Sequence, residues 1–453
     1  MNATTIFAKL PPRKLFFLAA IPGAISMLAS AFYQTIDGIF VGQFLGPTAF
    51  AALNLAMPFV IINFSLTDLI GVGSSVPISI SLGQKKHAEA NNIFTCACLM
   101  ILVSSTIIGA ILFAAAPALM ELMGADGALA ELAVQYLRVY ALCSPFTTIL
   151  YAVDNFLRIS GYIRGSMFVN ILLSILSAGL EFFFLGVLGF GIWGAALATC
   201  TSMFLCSLMA FLPFFRGKAL LKFTRPHFRL GLVKQIVSCG SPNFLNNIAG
   251  RITSIFLNAI LVRIGGEDAV SVYGILMFAD GFIQPLLYGT CDSLQPAVGY
   301  NWGAGKFSRV RAIETYCFAA SAVISIAVSV IIFLFPSQIT TLFVSGEGPE
   351  FLSMSVYALQ LFSVTYVIRW FSFATQSYML AIERSLYAAL ISVCTALVFP
   401  VVLVALLWPL GLTGIWLNFA GTSLLAAILA AVILKKMKPV LSRPDITAND
   451  TVA

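Results

Sequence analysis

Charge is what this sequence has least of. Only 9% of its 453 residues are Asp, Glu, Lys or Arg, against about 25% in a soluble globular protein. So little charge cannot coat a water-facing surface. That excludes a soluble enzyme, and 60% hydrophobic content excludes a disordered chain. Histidine is nearly missing: His87 and His227 are the only two, so a multi-histidine metal site is not available. The nine cysteines include no CxxC and lie mostly in apolar runs, which gives neither a disulfide framework nor a zinc site. HExxH, GxSxG and a Walker A lysine loop are lacking, so no enzyme motif and no ATP site is present, and any pumping must use an ion gradient. Gly189 to Gly194 matches GxGxxG, but no strand precedes it and it reads as a tight turn between apolar runs. Those runs are continuous, without the alternation of a membrane β-barrel.

What is present is a series of long apolar runs. About 20 apolar residues cross roughly 30 Å of hydrocarbon. Twelve segments meet that length, near 15–40, 51–80, 93–119, 131–156, 165–188, 191–215, 236–264, 269–298, 312–336, 351–381, 386–408 and 411–434. The fold class expected is an all-α polytopic membrane protein of twelve helices. Basic residues set its orientation. With the amino terminus inside, 21 of the 25 Lys and Arg fall in inner segments, while outer ones carry Glu121, Asp126, Glu267, Asp268, Glu347 and Glu350. The positive-inside rule then places the chain in the cell (inner) membrane with both termini cytoplasmic. The net charge of +7 is explained by these loops and does not call for a nucleic-acid partner. Ala29-Ser30-Ala31 could end a signal peptide, but the apolar stretch runs on past it, which favours a retained first helix.

The chain repeats itself at a shift near 220. Phe44-Leu45-Gly46 matches Arg263-Ile264-Gly265, Gly83-Gln84-Lys85-Lys86 matches Gly303-Ala304-Gly305-Lys306, and Gly191-Ile192-Trp193 matches Gly414-Ile415-Trp416. Six spans per half make the halves parallel repeats, suited to alternating access. The division expected is an amino-terminal lobe over 1–218, a cytoplasmic linker over 219–234 and a carboxy-terminal lobe over 235–453.

Ionisable residues at bilayer depth mark functional sites by default. They are Asp37, Asp68, Asp154, Glu181, Asp280 and Asp292, with Arg138, Arg251 and Arg369. Ser26, Ser30, Gln34 and Asp37 share one face of the first span, and Asn170, Ser174, Ser177 and Glu181 repeat that stripe in the fifth. Two acids at similar depth can share a proton or, as metal ligands, hold Na⁺. The ion-coupling set expected is therefore Asp37, Glu181, Gln34, Asn170 and Ser177. The alternative is two separately hydrogen-bonded acids. The second half carries Asn247, Arg251, Tyr273, Asp280, Gln284, Asp292 and Arg369, either as a substrate cavity or as a charge network in which Arg251 and Arg369 pair with Asp280 and Asp292. Asp154 and Arg158, one turn apart, suit a local ion pair. Pro22 lies in the helix of Asp37, where it is either a hinge or a passive kink. Pro58, Pro77, Pro145, Pro242, Pro285 and Pro296 interrupt other spans.

Asp37-Gly38-Ile39-Phe40-Val41-Gly42 with Leu45-Gly46, Gln295-Pro296 through Gly299-Tyr300-Asn301-Trp302-Gly303-Ala304, and Gly194-Ala195-Ala196-Leu197-Ala198-Thr199 resemble the MATE (multidrug and toxic compound extrusion) family. The resemblance spans essentially the whole chain. It implies export of bulky, often cationic organic compounds in exchange for H⁺ or Na⁺, with no other cofactor, by a monomer in the lipid bilayer. It also implies that Asp37 matches the family's first-helix acid. Glu181-Phe182 stands where many members have aspartate and proline. Gly250-Arg251 and Arg369 stand near positions that are acidic in some members, which argues against a second ion site there and leaves open a substrate with anionic groups. A flippase for lipid-linked precursors is the alternative function.

Overall fold

Backbone turns in the left-handed region mark where the helices stop. Gly46, Lys85, Gly161 and Gly189 have φ of 86°, 62°, 86° and 66°. Gly266, Gly305, Glu383 and Gly411 follow them by 220, 220, 222 and 222 residues, with φ of 65°, 69°, 61° and 57°. The duplication is thus written in the backbone. It pairs Gly46 with Gly266, one residue beyond the Gly265 that sequence comparison selects, because the turn needs positive φ at that point and glycine supplies it without strain.

The computed structural model describes residues 3–343 and 348–446; Glu347 of the expected acidic loops and both chain ends lie outside this range. The first six spanning helices are α1 (Pro12–Leu45), α2 (Pro47–Gly83), α3 (His87–Leu122), α4 (Gly127–Ile159), α5 (Ile163–Phe182) and α6 (Ile192–Phe215). The next six are α7 (230–265), α8 (267–292), α9 (Phe307–Leu334), α10 (Pro349–Ala381), α11 (385–407) and α12 (Gly411–Leu441). Among the described residues, nine continuous helical stretches are long and apolar enough to cross a membrane. Two of those stretches hold two spans each, broken at Gly266 and Gly411. The more polar α4 is the twelfth. The chain is an all-α, multi-pass membrane protein.

Most of the prolines do not interrupt their spans. Pro22, Pro58, Pro77, Pro145, Pro242 and Pro285 lie inside helices, and only Pro296 opens a new one, the short helix Gln295–Gly303. In a membrane bundle, neighbouring groups can satisfy the carbonyl that a proline frees.

Packing gives two compact units. One joins the residues up to Leu10 with Ile25–Gly240; the other joins Pro11–Ala24 with the residues from Ser241 on. Compared with lobes drawn at 1–218 and 235–453, the start of α1 sorts with the second unit, and the 219–229 loop and the start of α7 sort with the first. Glycine contacts explain both exchanges. In the second unit a Cβ on Gly23 would lie 2.4 Å from the Gly289 oxygen. In the first, a Cβ on Gly240 would lie 1.8 Å from the Leu69 oxygen, and one on Gly73 would lie 2.1 Å from the Ile236 oxygen. Small residues let helix backbones approach this closely in lipid, where apolar burial cannot drive association.

Each unit has one central helix. In the first, α4 packs against α2, α3, α5 and α6; in the second, α10 packs against α9, α11 and α12. Because α4 faces protein rather than lipid, it can bury Ser144, Thr147, Thr148 and Asp154. Each unit also carries a strap. Backbone N–H groups of Lys222, Thr224 and His227 donate to Asn91 Oδ1 (2.9 Å), Thr95 Oγ1 (3.1 Å) and Asn92 Oδ1 (2.8 Å) on α3. On α9, the Ser308 N–H donates to Asp445 Oδ1 at 2.7 Å, and Arg311 Nη1 donates to the Leu441 and Arg443 carbonyls at 2.8 and 3.0 Å. The Ser308 bonds hold the Asp445 carboxyl below its ordinary pKa.

Candidate functional site

In the first unit, α1 carries Asp37 and α5 carries Glu181 to one buried place. The two residues are 3% and 1% exposed. Their carboxyls lie within side-chain hydrogen-bond reach of each other. The Tyr136 hydroxyl on α4 donates to Asp37 Oδ2 at 3.4 Å. Asp37 Oδ1 and Glu181 Oε1 are buried without a partner, and neither residue forms an ion pair among the described residues. A hydrogen bond between two carboxyls needs a proton on one of them, so a pair placed this way can share one proton.

The rest of the expected coupling set divides. Ser177, one turn before Glu181, donates to Thr199 Oγ1 at 3.3 Å. Gln34 is exposed and forms no hydrogen bond among the described residues. The narrow buried arc of α1 instead takes Tyr33, which sits roughly 40° from Asp37 around the helix where Gln34 sits roughly 60° away on the other side. The Tyr33 and Tyr151 hydroxyls are 3.2 Å apart. Asn170 belongs to a different cluster, because it donates to Asp154 Oδ1 at 2.9 Å. Sequence reading misses Tyr136 and Tyr140. Their signal is their four-residue spacing on α4, which brings the rings to 5.1 Å. It also misses Glu314, an acid buried on α9 in the second unit whose Oε2 has no partner; a glutamate just before an apolar run could have flagged it.

Asp154 anchors the second cluster of the first unit. Arg158 Nη2 stands 2.5 Å from Asp154 Oδ2, Ser166 Oγ donates to Asp154 Oδ1 at 2.5 Å, and Arg158 Nε donates to Ser166 Oγ at 2.9 Å. Removing one partner strands the other charge. Arg158→Ala is therefore expected to cost about 3–5 kcal/mol, seen as a large drop in Tm in detergent, while Asp154→Asn combined with Arg158→Gln should recover most of it. A wild-type Tm for Arg158→Ala would show the pair to be structurally idle.

The second unit holds a cluster around Asp280. Tyr366 donates its hydroxyl to Asp280 Oδ1, Gln284 donates to Oδ2, and Arg369 Nη1 lies 3.2 Å from Oδ1. Tyr273 donates to Ser254 Oγ at 3.3 Å. Asp292 accepts from Gln295 and Ser377, both at 2.8 Å. The charge-network pairing therefore holds for Arg369 and Asp280. It does not hold for Arg251, which is exposed and forms neither an ion pair nor a hydrogen bond among the described residues. Asn247, one turn away on the same face, is exposed too.

A family model described as MatE matches residues 22–183 and 242–406, once in each half, and the first match takes in both Asp37 and Glu181. The chain belongs to the MatE family. A multidrug export protein, MepA, of Staphylococcus aureus (strain MSSA476) is 24% identical over 440 residues, 95% of each chain. A solved MATE structure in complex with MaL6 is 25% identical with a TM-score of 0.92, covering 98% of this chain and all of the other. A MOP superfamily transporter from Pyrococcus furiosus, described as having a binding pocket of reverse polarity, is also 25% identical, with a TM-score of 0.91 over 98% and 99% of the two chains. As a MatE member this protein is a membrane transporter.

Proposed function

We propose that this MatE protein is a secondary antiporter that exports bulky organic compounds across the cell membrane in exchange for a cation, by alternating access, with both termini cytoplasmic. The observation that carries the reading is the Asp37–Glu181 pair, two carboxyls within hydrogen-bond reach, buried, without a cationic partner and each with an unmet oxygen. An acid pair of that kind can take up and release a charge that no fixed arginine cancels. Two buried acids that can share one proton favour H⁺ over Na⁺ as coupling ion. Pro22 is the hinge in this reading, within the continuous helix that carries Asp37. The multidrug export name of the Staphylococcus relatives supports drug-like amphipathic cargo.

The test uses purified protein in liposomes loaded with ethidium, with a pH gradient and a Na⁺ gradient imposed one at a time. Dye movement driven by the pH gradient, and not by Na⁺, is expected. Equal rates with and without either gradient would overturn coupled transport.

A further inference from the structure

Around Asp280, about midway along α8, the second unit has more arginine than acid, although Asp292 and Glu314 stand elsewhere in it. Asp280 is fully engaged: one oxygen meets Tyr366 and Arg369, and the other meets Gln284. It has no free oxygen edge to offer a cationic cargo. Arg369 spends only Nη1 on Asp280, its side chain is 24% exposed, and its Nε and Nη2 donate to nothing among the described residues. Arg251 forms no ion pair or hydrogen bond among the described residues. Arg369 alone meets Asp280, so the Arg251 charge is not cancelled by that carboxylate.

The two arginines stand at a similar depth: Arg251 lies 15 residues before the Gly266 break, and Asp280, which Arg369 meets, lies 14 residues after it. Arg251 lies on α7 one turn from Ser254, which Tyr273 of α8 bonds at 3.3 Å. Two turns along α8 from Tyr273, on the same face, stands Asp280 with Arg369 attached. Arg251 is 15 residues from the Gly266 break, roughly 22 Å along the helix, which puts it deep in the span. Charged side chains at that depth face the bundle interior or water rather than hydrocarbon, and Arg251 is exposed on one stripe with Asn247.

We propose that this surface is an anion-binding site, in which Arg251 and the free edge of Arg369 take a carboxylate, sulfonate or phosphate group. Guanidinium suits such groups because its planar donors match two oxygens at once. Given the export reading, the bound group belongs to the cargo, so this transporter accepts anionic or zwitterionic amphiphiles.

Binding is measured without any gradient, so the outcome stands apart from that of the coupling test. The probes are carboxyfluorescein and rhodamine 123, an anionic and a cationic dye on one xanthene core, titrated by anisotropy against the full-length protein in phosphatidylcholine nanodiscs. Arg251→Gln should weaken carboxyfluorescein about tenfold, the value of one charge-assisted contact, and leave rhodamine 123 unchanged. Arg251→Lys should recover part of the loss. Adding phosphatidylglycerol to the disc separates two sources: competition with carboxyfluorescein assigns the site to a lipid headgroup, and no competition assigns it to soluble cargo. Failure of the native protein to bind carboxyfluorescein, or equal change of both dyes in Arg251→Gln, overturns the proposal.

Discussion

Asp37→Asn is expected to abolish gradient-driven export while the protein still inserts and folds. Asparagine keeps the shape of the side chain. Its carbonyl oxygen can still accept from Tyr136, and its amide can donate to Glu181, so the buried contacts survive. What it cannot do is release or take up a proton. One pH unit across the membrane is worth about 1.4 kcal/mol per proton, a tenfold cargo ratio. Wild-type liposomes should build such a ratio for a one-for-one exchange, and Asp37→Asn liposomes should build none. Glu181→Gln should behave alike if the two acids load and release one proton together. Undiminished accumulation in the Asp37→Asn, Glu181→Gln double variant would remove the pair from the mechanism.

Gly240→Val should prevent the first unit from forming. Even a methyl at this position would sit 1.8 Å from the Leu69 carbonyl oxygen, a backbone atom that no side-chain rotation can move aside. The crossing of α2 and α7 would have to open by about 1 Å, and a gap of that size forfeits a quarter to a half of each dispersion contact along the interface. Gly73→Val should fail in the same way from the facing helix, where the Ile236 oxygen lies 2.1 Å from the added carbon. Gly274→Ala and Gly281→Ala on α8 are the controls. Neither meets an atom within 4 Å, and alanine favours a helix over glycine by roughly 0.5–1 kcal/mol. Fluorescence-detected gel filtration should give aggregate for the first pair and a single native peak for the second. Native elution and Tm for Gly240→Val would mean that close approach is not what holds this crossing.

The spans were legible because lipid imposes a length and a composition on each of them, and the turns because glycine recurs at the same offsets. Asp37 and Glu181 could be singled out from helical spacing alone. Their companions could not. A four-residue stripe says which residues share a face, but not how wide the buried arc is. Gln34 and Tyr33 both neighbour Asp37 around α1, and only the packing of α4 decides which one turns inward. The stripe likewise does not show that Asn170 bonds Asp154, which comes from another helix. Arg251 and Arg369 looked equivalent in sequence. They differ because only one of them meets an aspartate across a helix contact.

The sorting of Pro11–Ala24 with residues from Ser241 on bears on how the chain is made. Ribosomes deliver the start of α1 well before Gly289, the partner of its glycine contact. Biogenesis therefore cannot finish one module before beginning the next. The start of α1 must remain incompletely packed until Gly289 has been threaded, and a nascent chain that stops short of Gly289 leaves Gly23 without that contact.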